Sequence, residues 1–332
     1  MKKDHNPEIN NPIPVDKLYD HFSTLHSNSK DETDPNAINF NIGTTYEPTT
    51  SDPRNKLDDP ISEIEIISTT KKLKTKKAPG LDRIRNEMLK CGIHYLASSL
   101  SILFNTILKS GYLPASWSKG MITAIYKSCD KSDPWNYSGI CVSSCLCKLF
   151  CSILNQRLHN FIQERNLLHP YQIEFLPGFR TSDHIFSLRT IIDMNVTHTP
   201  KSKLFCCFID LKKAFDSVWH PELFKKLSHY GITGSVYNTK CSIKFGNKRT
   251  DYFTYGRGVR EGCVLSPLLF NLYLNEISNL LKACNSNDLI ILPNGLPLKK
   301  VFRYDNCLWT EICENVVLSK IDITMTTRNK KL

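Results

Sequence analysis

The amino-acid sequence predicts an α+β fold. Helix-periodic stretches and short strand-like runs alternate irregularly along the chain, not in the strict βαβ order of a doubly wound sheet. Of the 332 residues, 41% are hydrophobic. That is enough for one large domain, or two modest ones, with a real core.

The elements follow in order. Residues 1–58 are rich in Asn, Asp, Pro, Ser and Thr, with little apolar periodicity, so they are expected to be mostly disordered. From Ile61 the pattern changes: Ile61, Ile64 and Ile67 suggest a short amphipathic helix. The segment Lys71 to Lys90 holds eight basic and two acidic residues around Ala78-Pro79-Gly80-Leu81-Asp82, a turn by composition. Residues 93–110 read as a helix ended by Gly111, and Met121 to Tyr126 as a short strand. Leu146 to Phe161 reads as a helix with Leu149, Phe150, Ile153 and Leu158 on one face. Residues 184–192 form another. Leu204 to Ile209 is a continuous apolar run of strand length, expected to be a buried strand. A helix follows from Pro221 to Tyr230, stopped by Gly231. The last starts at Ser266-Pro267, with Ser as N-cap and Pro at the first helical position, and runs to about Lys282.

Lys plus Arg number 43 against 32 Asp plus Glu, a formal net charge of +11. Such an excess speaks of partners, not fold. Nucleic acid is the usual polyanion and an acidic membrane surface the second; a merely basic soluble protein stays open. The 13 cysteines show no repeated spacing, which argues against a disulfide framework and for a reducing compartment. Cys141, Cys145, Cys147 and Cys151 lie in an apolar run, spaced unlike a zinc site, and are expected to pack as small hydrophobes. Met1 to Pro14 is polar, so no secretory signal is expected, and no stretch reaches ~18 apolar residues. The expectation is an intracellular protein of nucleus or cytoplasm, not secreted and not in a membrane. The sequence carries no sign of oligomeric state.

Two stretches suggest chemistry. In Phe208-Ile209-Asp210-Leu211-Lys212-Lys213-Ala214-Phe215-Asp216-Ser217-Val218, a carboxylate ends a buried strand. A buried carboxylate needs a partner or a metal, and a hard cation such as Mg²⁺ wants oxygen ligands. A capping or salt-bridged Asp is the plain alternative. In Gly258-Val259-Arg260-Glu261-Gly262-Cys263-Val264-Leu265-Ser266-Pro267, two glycines bracket a loop entering a capped helix. Gly permits close approach of a ligand to the backbone, and a helix N-terminus favours phosphate. An ordinary loop before a helix is the alternative.

Taken together, in this order, the stretches resemble the palm motifs of non-LTR (LINE-type) retrotransposon reverse transcriptases. Flanking blocks agree: Lys77 to Asp82, Leu113 to Trp117 before Ile125-Tyr126-Lys127, Asn136 to Ile140 leading to Lys148 and Arg157, and Gln172 to His184. The resemblance spans roughly residues 62–298. It implies a right-hand polymerase with fingers (59–182) and a palm (183–298) built on an antiparallel sheet with packed helices; the thumb is expected to be missing here. It implies two-metal nucleotidyl transfer with Mg²⁺, an RNA template, a DNA primer and deoxynucleoside triphosphates. By the resemblance, Asp210 binds metal, Phe215 lies under the incoming sugar as a steric gate, Lys127 meets the triphosphate, and Arg260, Glu261 and Gly262 border the nucleotide. Phe215 as plain core and Lys127 as a solvated strand-end residue are the alternatives. Lys74, Lys76, Lys77, Lys148 and Arg157 are the expected nucleic-acid contacts.

Residues 299–332 depart from the family. Its second catalytic block, Tyr/Phe-Ala-Asp-Asp between apolar strands, is replaced by Tyr304-Asp305-Asn306, one residue short and with Asn for the second Asp. Asp210 and Asp305 are then the only carboxylates left for the metals. Ser138 stands for the family's Arg and Glu261 for its Gln. These departures predict an inactive copy. A binding remnant without chemistry, or an unstable relic, are the other readings.

Overall fold

The computed structural model describes residues 13–27, 56–170, 172–198, 204–211, 213–232, 240–245, 248–254, 256–276 and 316–323. The chain divides into two compact units, each discontinuous in sequence: residues 1–165 with 215–270, and 166–214 with 271–332. The fold is mixed α+β.

The first unit has a helical body and a sheet. Helix α1 (Val15–Leu25) comes first. Composition predicts disorder there, and the structure corrects it. The helix buries only Leu18 and Phe22, with Ile13 just before it. Three apolar residues spaced among many polar ones leave little periodic signal, yet they suffice to anchor it. They pack with Ile122, Ala124, Tyr137, Cys141, Cys241, Ile243 and Phe253.

The helical body consists of α2 (Glu63–Lys72), α3 (Asn86–Ser110) and the short α4 (Ala115–Ser118). To these are added α5 (Cys145–Glu164), reached through the sheet. Ser62 caps α2 by accepting from the Glu65 amide, and Gly111 ends α3 with φ +70°. Of the predicted stripe, Ile61 is buried just before α2 and Ile67 packs partly against the same core, whereas Ile64 is 79% exposed and Ile66 is buried instead. In the core, Phe104 meets Trp117 and Phe150 with ring centroids 6.1 and 5.3 Å apart. Ser101 and Asn105 of α3 donate to the Ile61 carbonyl, fixing the start of α2. By length and composition α3 could cross a membrane, with mean hydropathy 1.3 over its most apolar window. Ser, Thr and Asn interrupt its apolar run without adding charge, so the expectation that no stretch reaches ~18 apolar residues still holds. In the structure α3 packs Ile93, Leu100, Phe104 and Ile107 into the helical core.

The sheet is formed by β1 (Lys119–Tyr126), β2 (Tyr137–Val142), β4 (Lys240–Phe245), β5 (Lys248–Arg249) and β6 (Phe253–Thr254). A 3₁₀ turn, Pro134–Asn136, leads into β2. The strand order is β2-β1-β4-β5, with β6 also on β4. β1 and β2 are antiparallel, pairing Ile122 with Cys141, whereas β1 and β4 run parallel, pairing Gly120 with Cys241. A purely antiparallel sheet is therefore not what this unit holds. The β1–β4 pairing also joins segments that a boundary at 182/183 would separate. Helix α7 (His220–His229) completes the unit, ending before Gly231 with φ +75°.

In the second unit, α6 (Thr181–His198) is followed by β3 (Leu204–Leu211), the strand expected from its apolar run. It pairs antiparallel with β7 (Val316–Ile323), so the departing tail supplies a strand. Helix α8 (Ser266–Leu274) begins in the first unit and ends in the second. Within the second unit Asn271 donates to the Glu174 carbonyl and Asn275 to that of Leu167.

Candidate nucleotide and nucleic-acid site

The two motif loops of the first unit are joined backbone to backbone. The Gly258 amide donates to the Val218 carbonyl (2.7 Å) and the Val259 amide to that of Phe215 (2.8 Å). His220 Nε2 donates to the Gly258 carbonyl (2.7 Å), and Arg257 Nε to the Ser217 carbonyl (3.3 Å). Gly258 has φ +88°, and a Cβ there would stand 2.8 Å from the Asp216 carbonyl oxygen. Gly262 has φ +100°, and its Cβ would meet the Cys141 oxygen at 2.8 Å. Both glycines permit close approach, as the sequence suggests. What approaches them is the protein's own backbone rather than a ligand.

Phe215 is half-buried and stacks on Phe270, centroids 4.9 Å apart. The Glu261 carbonyl accepts from the Cys141 amide (2.7 Å), tying the loop to β2. Arg260 turns inward. Its Nη2 donates to the Ser118 carbonyl (2.9 Å), and its guanidinium carbon would lie 3.7 Å from a Cβ on Gly120. Expected at the rim of a nucleotide pocket, it instead reaches under the sheet to a seam of thiols. There the hydrogen bond from Cys151 holds the Cys263 thiol down to about 6, with the Arg260 charge assisting against burial. Cys151, the partner, is pushed up. Cys141 is lowered by its hydrogen bond with Cys241, which is raised in turn. Cys145 and Cys147 are buried, as expected.

The expected nucleic-acid contacts separate into two groups. Lys74, Lys76 and Lys77 are exposed and Lys148 is half-buried on α5, while Lys127, expected at the triphosphate, is also exposed. The segment bearing the first three is held by backbone contacts: Lys76 (φ +57°) donates its amide to Glu87 Oε1, and Asn86 Nδ2 donates to the Lys74 carbonyl. Ser144, the N-cap of α5, donates to Asp82 Oδ2 (2.6 Å), docking the following turn. Arg157 belongs elsewhere. Its Nε and Nη2 donate to Glu65 at 2.8 and 2.7 Å, and its Nη1 and Nη2 to the carbonyls of Leu57, Asp59 and Pro60. The side chain is 10% exposed. The expectation of a nucleic-acid contact fails here because a planar fork with five donors is already committed to a carboxylate and three carbonyls.

Asp210 stands in β3, paired with Val317 of β7. Its side chain, and Asp305 altogether, lie outside the described residues. Among the described residues, no three His, Cys, Asp or Glu side chains are grouped to hold a metal. Sequence patterns give no hint of His26, which contacts both loops, or of His220, which holds the Gly258 carbonyl. Neither lies in a recognisable spacing, and their role is visible only once the loops are folded together.

Residues 129–302, just over half the chain, match the family described as reverse transcriptase (RNA-dependent DNA polymerase). A probable RNA-directed DNA polymerase from transposon BS of Drosophila melanogaster is 28% identical over 228 residues, covering 66% of this chain. A probable polymerase from transposon X-element of the same fly is 26% identical over the same length. The RNA-directed DNA polymerase from mobile element jockey of Drosophila funebris is 25% identical over 67% of this chain. The chain spans about a quarter of the length of each relative, 25% in all three cases.

Proposed function

The chain belongs to the reverse transcriptase (RNA-dependent DNA polymerase) family, in its non-LTR retrotransposon branch, and on that premise we propose that it is the fingers and palm portion of such a polymerase. Its partners are then an RNA template, a DNA primer and deoxynucleoside triphosphates, and its setting is intracellular. The observation that supports this reading is the pairing of the Phe215–Val218 turn with the Gly258–Val259 backbone. A nucleotide site assembled from both motifs requires that they be held at fixed spacing, and hydrogen-bonded backbone achieves it independently of side-chain rotamers. Phe215, backed by Phe270, bounds the sugar. Lys127, exposed at the end of β1, neutralises triphosphate charge. Arg260 does not face the nucleotide in this reading. It braces the loop from beneath, leaving Glu261 and Gly262 at the rim.

Asp210 and Asp305 are the residues that would hold Mg²⁺, whose chemistry is to stabilise charge developing on the transferred phosphate. With Asn306 in place of a second adjacent carboxylate, this copy is proposed not to catalyse transfer. The test is primer extension with purified chain, Mg²⁺, an RNA template and an annealed DNA primer. Absence of product from folded protein agrees with an inactive copy. Product that disappears in Asp210→Ala would refute inactivity and place Asp305 in the reaction.

A second reading, nucleic-acid binding without chemistry, is favoured by the exposure of Lys74, Lys76 and Lys77 on a segment pinned by its backbone. Neutralising all three lowers the slope of log affinity against log salt by about 2 to 3. An unchanged slope would remove this segment from the interface.

A further inference from the structure

The family match begins at residue 129, long after α1. Yet the residue that follows α1 touches both motif loops. His26 is 2% exposed, its ring stacked between Phe22 and Phe253 at 6.4 Å from each. Its Nδ1 donates to the Arg257 carbonyl (3.1 Å), so that nitrogen carries a proton. Its Nε2 faces Asp216 Oδ1 at 3.7 Å, and Asp216 is itself 7% exposed. Its own carbonyl accepts from the amides of Gly256 (2.9 Å) and Arg257 (3.1 Å).

A residue that only filled the gap between two phenyl rings would be apolar. Burying an imidazole costs free energy unless its nitrogens are used, and here one nitrogen addresses each loop. The contacts bear on residues next to the two amide bonds that join the loops. Each such bond is worth only about 1 kcal/mol net, so the junction is easily opened without a brace.

We propose that His26 is a positioning residue for the nucleotide site: it fixes the loop at Gly256–Gly258 against the Phe215–Val218 turn, making a residue outside the family match part of the pocket's support. The proposal rests on reading that pocket as a nucleotide site.

Amide hydrogen exchange on the full chain tests it, comparing the wild type with His26→Leu, His26→Asn and Leu18→Ala. Leucine keeps the volume between the rings and removes both polar contacts. Asparagine can restore the donor to the Arg257 carbonyl. Leu18→Ala weakens α1 without touching either loop. Exchange at the Gly258 and Val259 amides is expected to rise about tenfold in His26→Leu, to recover largely in His26→Asn, and to stay near wild type in Leu18→Ala. The affinity for dTTP with Mg²⁺ is expected to weaken about tenfold in His26→Leu and to follow the same order. Unchanged protection in His26→Leu, or equal loosening in Leu18→Ala, overturns the proposal. Selective loosening in a protein whose wild type binds no dTTP overturns the nucleotide reading instead, and leaves His26 as a structural clamp of the two loops.

Discussion

The helical body and the joined loops of the first unit are held together in opposite ways. Around Phe104, Trp117 and Phe150 the contacts are between apolar side chains on helices, and their energy scales with buried area. Around Gly258 the contacts run between main-chain groups of distant segments, with His26 and His220 bridging from outside. The first arrangement tolerates some change of side chain if volume is kept. The second tolerates almost any side chain that does not touch it, but almost no Cβ at its two glycines.

The largest expected effect separates these regimes. Phe104→Ala removes a fully buried ring from the helical core and should cost about 3 to 5 kcal/mol in urea-induced unfolding. The loops' amide protection should fall only in step with global stability. If the loops open first, the two regions are not independent. Next comes Gly258→Ala, which forces a side chain into positive φ and against the Asp216 backbone. Its cost should be about 2 to 3 kcal/mol. It should appear chiefly as exchange at Val259 and its neighbours, with the helical body still protected. Uniform loosening would break the comparison.

The same contrast explains what the sequence reveals. Helix α5 is legible because Leu149, Phe150, Ile153 and Leu158 repeat at helical spacing, and it extends the expected 146–161 by only a few residues to 145–164. Strand β3 is legible as an unbroken apolar run. Helix α1 is not, because two buried residues, Leu18 and Phe22, cannot outweigh a polar neighbourhood. On α2 the reading holds in part: Ile61 and Ile67 reach the core, but apolar Ile64 lies outside while Thr70 is buried, its hydroxyl donating to the Ile66 carbonyl. In the site, Gly258 and Gly262 stand out by residue type, but a glycine does not say whether a ligand or a neighbouring chain segment approaches it. Arg157 and Arg260 carry the same ambiguity. A basic side chain in a basic protein resembles a phosphate contact until its carboxylate and carbonyl partners come into view.

That ambiguity can be sharpened with a smaller effect. Arg157→Met keeps much of the stem and removes the fork from Glu65 and three carbonyls. It should cost about 2 kcal/mol of stability while leaving RNA affinity and its salt slope unchanged. The Lys74, Lys76 and Lys77 triple variant should do the reverse. A loss of RNA affinity in a folded Arg157→Met protein would return that residue to the interface.

The smallest effect alters no contact and reads only the polarity of the seam under the loop. Cys263 is partly exposed, and its thiol is held down to about 6, so it ionises as pH rises through that value. Above it the group is thiolate, the nucleophilic form. Alkylation by iodoacetamide, followed by peptide mass spectrometry, should therefore climb near pH 6 at Cys263 and level off by neutrality. Cys151→Ala removes the hydrogen-bond donor that contributes most to the lowering, and should move the Cys263 midpoint upward. A midpoint that stays put would assign the lowering to Arg260 and the start of α8. The loop would then be polarised by the very residue that braces it.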